Sequence, residues 1–178
     1  MAVYLSLPIL DEAVRLVEAD STNESSVNAM ANGIFDYYFS AVNNYMVAPK
    51  KDLQNGHADF VILHIKPVFP GCRGVHEHTI AKAKGSMESL KSILDQLENA
   101  LEHANTPFQT SWAIVIHGAL FNFYEYHRGM PEQERLLPFE PPAGSQHESR
   151  DSFHARNDSV EIDWMLRHMA QNDPSLTR

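Results

Sequence analysis

Apolar residues recur every three or four positions in several parts of the chain. Leu10, Val14 and Val17 share one side of a predicted short helix over 9–17. Val27, Met30, Ile34, Tyr38, Ala41 and Tyr45 form a longer stripe, preceded by the cap-forming types Ser21, Thr22 and Asn23. This predicts a helix over about 24–43. The longest stripe, Ile80, Ala83, Met87, Leu90, Leu94, Leu97 and Leu101, predicts a helix over 78–104 whose polar side carries Lys82, Lys84 and Lys91. A last helix is expected over 158–171 through Ile162, Met165, Leu166 and Met169, with Pro174 closing it off.

Strands are read from different patterns. The segment 58–66 is almost continuously apolar, as in a strand covered on both faces, and Pro67 and Pro70-Gly71 end it. Asn55-Gly56 before it is a hairpin signal, and Pro49 in the preceding strand, 45–51, fits an edge strand or a bulge rather than a central position. Residues 68–77 read as a loop. Trp112 to Ile116 and Ala119 to Tyr126, around His117-Gly118, read as a second hairpin. Residues 130–157 are rich in Pro, Glu, Ser and His and read as a long irregular excursion. The expected fold is therefore α/β (α+β): a mixed central sheet of about four to five strands flanked by helices. The 178 residues suit a single domain with a core over about 24–126.

The single cysteine, Cys72, excludes an internal disulfide framework and reads as an ordinary loop thiol. No apolar run reaches the length of a membrane span, and the N-terminus lacks a basic signal-peptide start. An intracellular protein, cytoplasmic or nuclear, without membrane contact is expected. The net charge of −9 argues against a protein that coats nucleic acid. It is unevenly spread, because residues 50–91 hold seven basic and four acidic residues, a net of +3, against −12 elsewhere. Neither a phosphate-binding G-x-x-x-x-G-K-[ST] loop nor G-x-G-x-x-G is present, so no nucleotide cofactor is expected.

Three features together resemble the restriction-endonuclease-like, or PD-(D/E)XK, superfamily. ADFVILHIKP looks like the strand that bears the family's acidic-x-Lys motif. A long helix follows it. WAIVIHGALFNFYEY looks like a strand-turn-strand element found in many members. The final helix is similar to an addition seen in fungal relatives. The resemblance implies a site in which two carboxylates hold a divalent metal that activates water, with a lysine supporting the hydroxide.

On this reading Lys66 takes the lysine's place, but His64 stands where the motif's acid belongs. Mg²⁺ prefers oxygen ligands, and Mn²⁺ tolerates an imidazole better, so either metal is expected only if the site is active. The other acid is Asp52 or Asp59. Strand alternation puts His64 and Lys66 on one face and Asp59 on the other, and a tight Asn55-Gly56 turn would set Asp52 opposite Asp59. The catalytic candidates are thus Asp52, Asp59, His64 and Lys66, with Asp59 and His64 as metal ligands. Glu24 is a further acid of the kind some members use. Lys66, Lys82 and Lys84 are the candidate nucleic-acid contacts.

The missing acid makes a degenerate nuclease-like module, binding nucleic acid or protein, the leading expectation. An active metal-dependent nuclease is the first alternative. The second is an unrelated α/β domain with a histidine metal site, in which His76 and His78 join His57 or His64 on Zn²⁺.

Overall fold

The computed structural model describes residues 3–53, 56–68, 72–141 and 150–174, with backbone alone at 3, 50–53, 56–57, 67–68, 72–73 and 107. Two helices, α1 (Pro8–Ala19) and α2 (Glu24–Tyr38), open the chain. Three antiparallel strands follow, β1 (Tyr45–Leu53), β2 (Gly56–Val68) and β3 (Cys72–Lys84). Helix α3 (Leu90–Glu102) crosses over to β4 (Thr110–His117), which pairs parallel to β3. A hairpin leads to β5 (Leu120–His127), and short strands β6 (Leu136–Pro138) and β7 (Phe153–His154) both pair with β5. Helix α4 (Ser159–Gln171) ends the described fold. The result is a mixed α+β sheet of seven strands, more than the four to five expected, in the order β1 to β6 with β7 beside β5. Among the described residues, no helix is long and apolar enough to cross a membrane.

Alternation along the central strands builds two cores. Ile114 and Ile116 on β4, with Phe60 and Ile62 on β2, pack against Met30, Ile34 and Phe35 of α2 and Met165 and Leu166 of α4. Ala113 and Val115, with Val61 and Leu63, pack on the other face against Ile93, Leu97 and Leu101 of α3. Strand β2 is therefore covered on both faces, as its continuous apolar run requires. Pro49 lies on the edge strand β1, where a missing N–H costs no ladder bond.

The largest departure from expectation lies between residues 72 and 89. Residues 72–77, expected in a loop, and 78–84, expected in a helix, are strand. Strand β3 occupies 72–84, and α3 starts only at Leu90, capped by Ser89, whose side chain accepts from the Ser92 N–H at 3.2 Å. Ile80 and Ala83 are buried strand residues, not helix residues. Met87 is exposed and Leu94 only partly buried, so neither anchors the helix as expected. Ala and Lys are weak strand formers, and their run in Ala81-Lys82-Ala83-Lys84 favours a helical reading. Six paired positions along β4, from Thr79–Trp112 to Lys84–His117, override that preference.

The first hairpin is also set differently. Leu53 pairs with Gly56 and Asp52 with His57, so Asp52 does not sit opposite Asp59. Asn55 and the Asp52 side chain lie outside the described residues.

Candidate functional sites

The predicted site residues separate into two clusters on β2 and β3. The first lies where β3 ends. Glu24 opens α2, and Asp59 lies near the start of β2. Lys82 and Lys84 share one face of β3 through strand alternation. Lys84 Nζ stands 3.0 Å from Glu24 Oε1 and 3.7 Å from Asp59 Oδ1. The other Asp59 oxygen accepts the Ala83 N–H at 3.0 Å. Burial works against the Lys84 ammonium, but the Glu24 and Asp59 carboxylates outweigh it and hold its pKa above the ordinary lysine value.

Lys82 is only 3% exposed. Burial pulls its pKa below the ordinary lysine value; Asp59 partly offsets this and Lys84 adds to it. The turn after β3 fixes the cluster to the start of α2. Ser86 N donates to the Ser21 carbonyl at 2.9 Å, and the two serine hydroxyls lie 2.8 Å apart. At Gly85 an added Cβ would stand 2.3 Å from the Thr22 carbonyl oxygen, so only glycine fits.

The second cluster lies near the other ends of the same strands. Asp59 and His64 are five residues apart on β2, roughly 17 Å at the rise of a strand, so they do not form the expected metal pair. Lys66 is likewise separated from Lys82 and Lys84, and the three do not line one cleft. Its ammonium forms an ion pair with Asp173, in the tail after α4. That tail is held by the Trp112 indole N–H, which donates to the Asn172 carbonyl at 2.8 Å.

A bulge brings His78 into this cluster. Ile62 pairs with Thr79 but Leu63 with Glu77, which leaves His78 as the extra residue of β3. Regular alternation would put His78 on the face of Ile80, against α3. The bulge turns it instead towards Phe39, Tyr45 and His64, with ring centroids 6.0, 5.2 and 5.7 Å away. Its Nδ1 is hydrogen-bonded to Thr79 Oγ1 at 2.8 Å, and its Nε2 faces Asp173 Oδ1 at 4.0 Å. His64 stacks on Tyr45 at 4.0 Å. Among the described residues, the buried His64 Nδ1 has no hydrogen-bond partner, and His78 Nε2 has none of regular geometry, although the Asn172 backbone lies close enough to act on the ring. Burial lowers the pKa of both imidazoles, that of His78 to about 4.

Asp173 has no predictive signal of its own, because it lies beyond the last helix. Lys84 and Asp59 were both singled out in the sequence, but their pairing was hidden by the helical reading of 78–84. The β-branched pair Thr79-Ile80 is the one signal there that favours a strand. Compared with known protein families, curated proteins and solved structures, the chain matches none.

Proposed function

We propose that this chain is a restriction-endonuclease-like domain whose nuclease centre is inactive and which acts as a binding module for a protein partner. The resemblance requires the acidic-x-Lys strand to run into the long helix. Here the strand that does so is β3, not β2, and it ends Lys82-Ala83-Lys84. The motif lysine is then Lys84 rather than Lys66, and the acid's position is held by Lys82. Glu24 and Asp59 are the remaining acids beside Lys84.

The observation that carries this reading is the buried Lys82 in the acid's place. A divalent ion there would lose one carboxylate and meet an ammonium instead. The charge of Lys84 is already balanced by Glu24 and Asp59. A metal-activated water therefore has neither its ion nor its full ligand set.

A protein partner is favoured over nucleic acid by the same contacts. Lys82 is buried, Lys84 is paired with Glu24 and Asp59, and Lys66 is paired with Asp173. Little free positive charge is left at these positions to meet phosphates, and the chain outside 50–91 carries a net −12.

Cleavage assays with Mg²⁺ or Mn²⁺ on single- and double-stranded DNA and RNA test the reading. No cleavage is expected, and short oligonucleotides at low salt should leave the Lys82 and Lys84 resonances unmoved. Metal-dependent cleavage that disappears in Lys84→Ala would restore an enzyme. Oligonucleotide shifts centred on Lys82 and Lys84 would restore a nucleic-acid module.

A further inference from the structure

We infer that His64, His78 and Asp173 form a binding site for a divalent transition-metal ion of the Zn²⁺ class, tying the tail after α4 to β2 and β3. One imidazole nitrogen from each histidine and one Asp173 carboxylate oxygen lie within 4.8 Å of one another. In a tetrahedral Zn²⁺ site with bonds of about 2.0–2.1 Å, ligand atoms sit roughly 3.3 Å apart. Closing that gap takes shifts of up to about 1.5 Å between ligand atoms, and the half-exposed Asp173 side chain can pivot about its contact with Lys66 to make them.

The donor chemistry is specific. Two imidazoles and a carboxylate suit a borderline transition ion better than Mg²⁺ or Ca²⁺, which favour all-oxygen shells. A neutral imidazole offers such an ion its ring-nitrogen lone pair. His78 is the stronger half of the argument. Its side chain is 3% exposed, and its Nε2 is directed at Asp173 without a hydrogen bond of regular geometry.

The surroundings supply the support that metal sites need. With Nδ1 hydrogen-bonded to the Thr79 hydroxyl, Nε2 is the ring nitrogen of His78 that faces the pocket. Tyr45, which stacks on His64, is itself fixed by donating its hydroxyl to the Ala170 carbonyl at 3.0 Å. Asp173 presents Oδ1 to His78 and Oδ2 to Lys66, so one oxygen can bind the ion while the other keeps the ammonium. The pocket of about 60 Å³ is also lined by His76 and Thr110. Water completes the fourth position. The β-bulge that turns His78 into this pocket is a local irregularity of a kind concentrated at functional positions.

This site is independent of the inactive nuclease centre, since His78 and Lys84 are six residues apart on β3, roughly 20 Å. The test uses the purified full chain stripped with a chelator. Zn²⁺ is titrated calorimetrically, and Co²⁺ is added as a spectroscopic probe. The expected result is one Zn²⁺ per chain, tetrahedral Co²⁺ absorption bands and a thermal midpoint raised by Zn²⁺. Asp173→Asn, an exposed change that leaves the core intact, should weaken Zn²⁺ at least tenfold and abolish the thermal shift. His78→Ala should do the same, with circular dichroism checking its fold. Lys66→Met should bind Zn²⁺ at least as tightly as the native chain. No Zn²⁺ binding, or binding that survives both Asp173→Asn and His78→Ala undiminished, would overturn the site.

Discussion

The imidazoles of His64 and His78 stand edge to face on neighbouring strands, their centroids 5.7 Å apart and their planes at 89°. Cross-strand pairing does not bring them together, because His64 pairs with His76. A one-residue bulge does, by reversing His78 from the α3 face of the sheet to the face where Phe39 and Tyr45 lie. A ring that regular pleating would bury against leucines therefore lines the pocket it shares with His64 and Asp173.

The buried imidazole of His78 makes the metal-free fold sensitive to acid. Its folded pKa, about 4, lies below the unfolded value near 6.5. Between those values the unfolded chain binds more protons, so stability falls with falling pH. The contribution is complete above about pH 6.5 and is lost by about pH 4. The largest loss from this group is about 3 kcal/mol. Urea unfolding in the presence of a chelator should show this slope, and His78→Leu should flatten it. An unchanged slope in the variant would assign the acid sensitivity to other groups.

Helix α3 is held through Ile93, Leu97, Ala100 and Leu101, all fully buried. Leu97→Ala should cost about 2–5 kcal/mol by chemical denaturation. Leu94→Ala, at a position only partly buried, should cost about 1 kcal/mol. The sequence stripe makes the two leucines look equivalent. Equal losses would mean that α3 is rotated about its axis relative to this packing.

Helices α1 and α4, most of α2, the doubly covered β2 and the β4–β5 hairpin were legible because each rests on a local pattern. Gly118 shows how direct that can be. It takes φ +60° in the turn, as a glycine between two apolar strands should. Strand β3 was not legible, because parallel pairing with β4 depends on residues about thirty positions away, and Ala and Lys are good helix formers. That single error also hid the first cluster. With Lys82 and Lys84 read on a helix, nothing joined Lys84 to Asp59 or Glu24. The second cluster was half legible. The His76-x-His78 pair and His64 were visible as metal-ligand types, but the bulge and the return of Asp173 are tertiary facts with no short-range signature.

Lys82 is a charge buried without full compensation, so its removal should not be costly. Lys82→Met keeps the stem and deletes the ammonium. Asp59 retains Lys84 and the Ala83 N–H as partners. The variant should range from equally stable to about 2 kcal/mol more stable in urea unfolding at neutral pH. Because Lys82 has a lowered folded pKa, the native chain should gain stability relative to the variant as pH rises towards the ordinary lysine value. A loss above about 2 kcal/mol in Lys82→Met would mean that the ammonium is a structural partner of Asp59 after all.

Gly85 couples the fold to the first cluster most directly. It follows Lys84, and its α-carbon faces the Thr22 carbonyl, one residue before the Asn23 cap of α2. A methyl group there would meet a backbone oxygen at 2.3 Å, which no side-chain rotation relieves. Gly85→Ala must therefore push the β3–α3 turn away from the start of α2. That movement strains the Ser86–Ser21 contacts and draws Glu24 off Lys84. The expected cost is about 1–3 kcal/mol. It should come with a lowered Lys84 pKa as its carboxylate partner withdraws. Amide exchange should quicken at the first turn of α2 while α4 keeps its protection. Gly118→Ala provides the comparison. It is strained by its own positive φ, and its added Cβ would meet the Ser21 and Ser86 side chains at 3.1 and 3.3 Å rather than the Thr22 backbone. A stability loss in Gly85→Ala with Lys84 titrating as in the native chain would show that the turn and the charge cluster are not coupled.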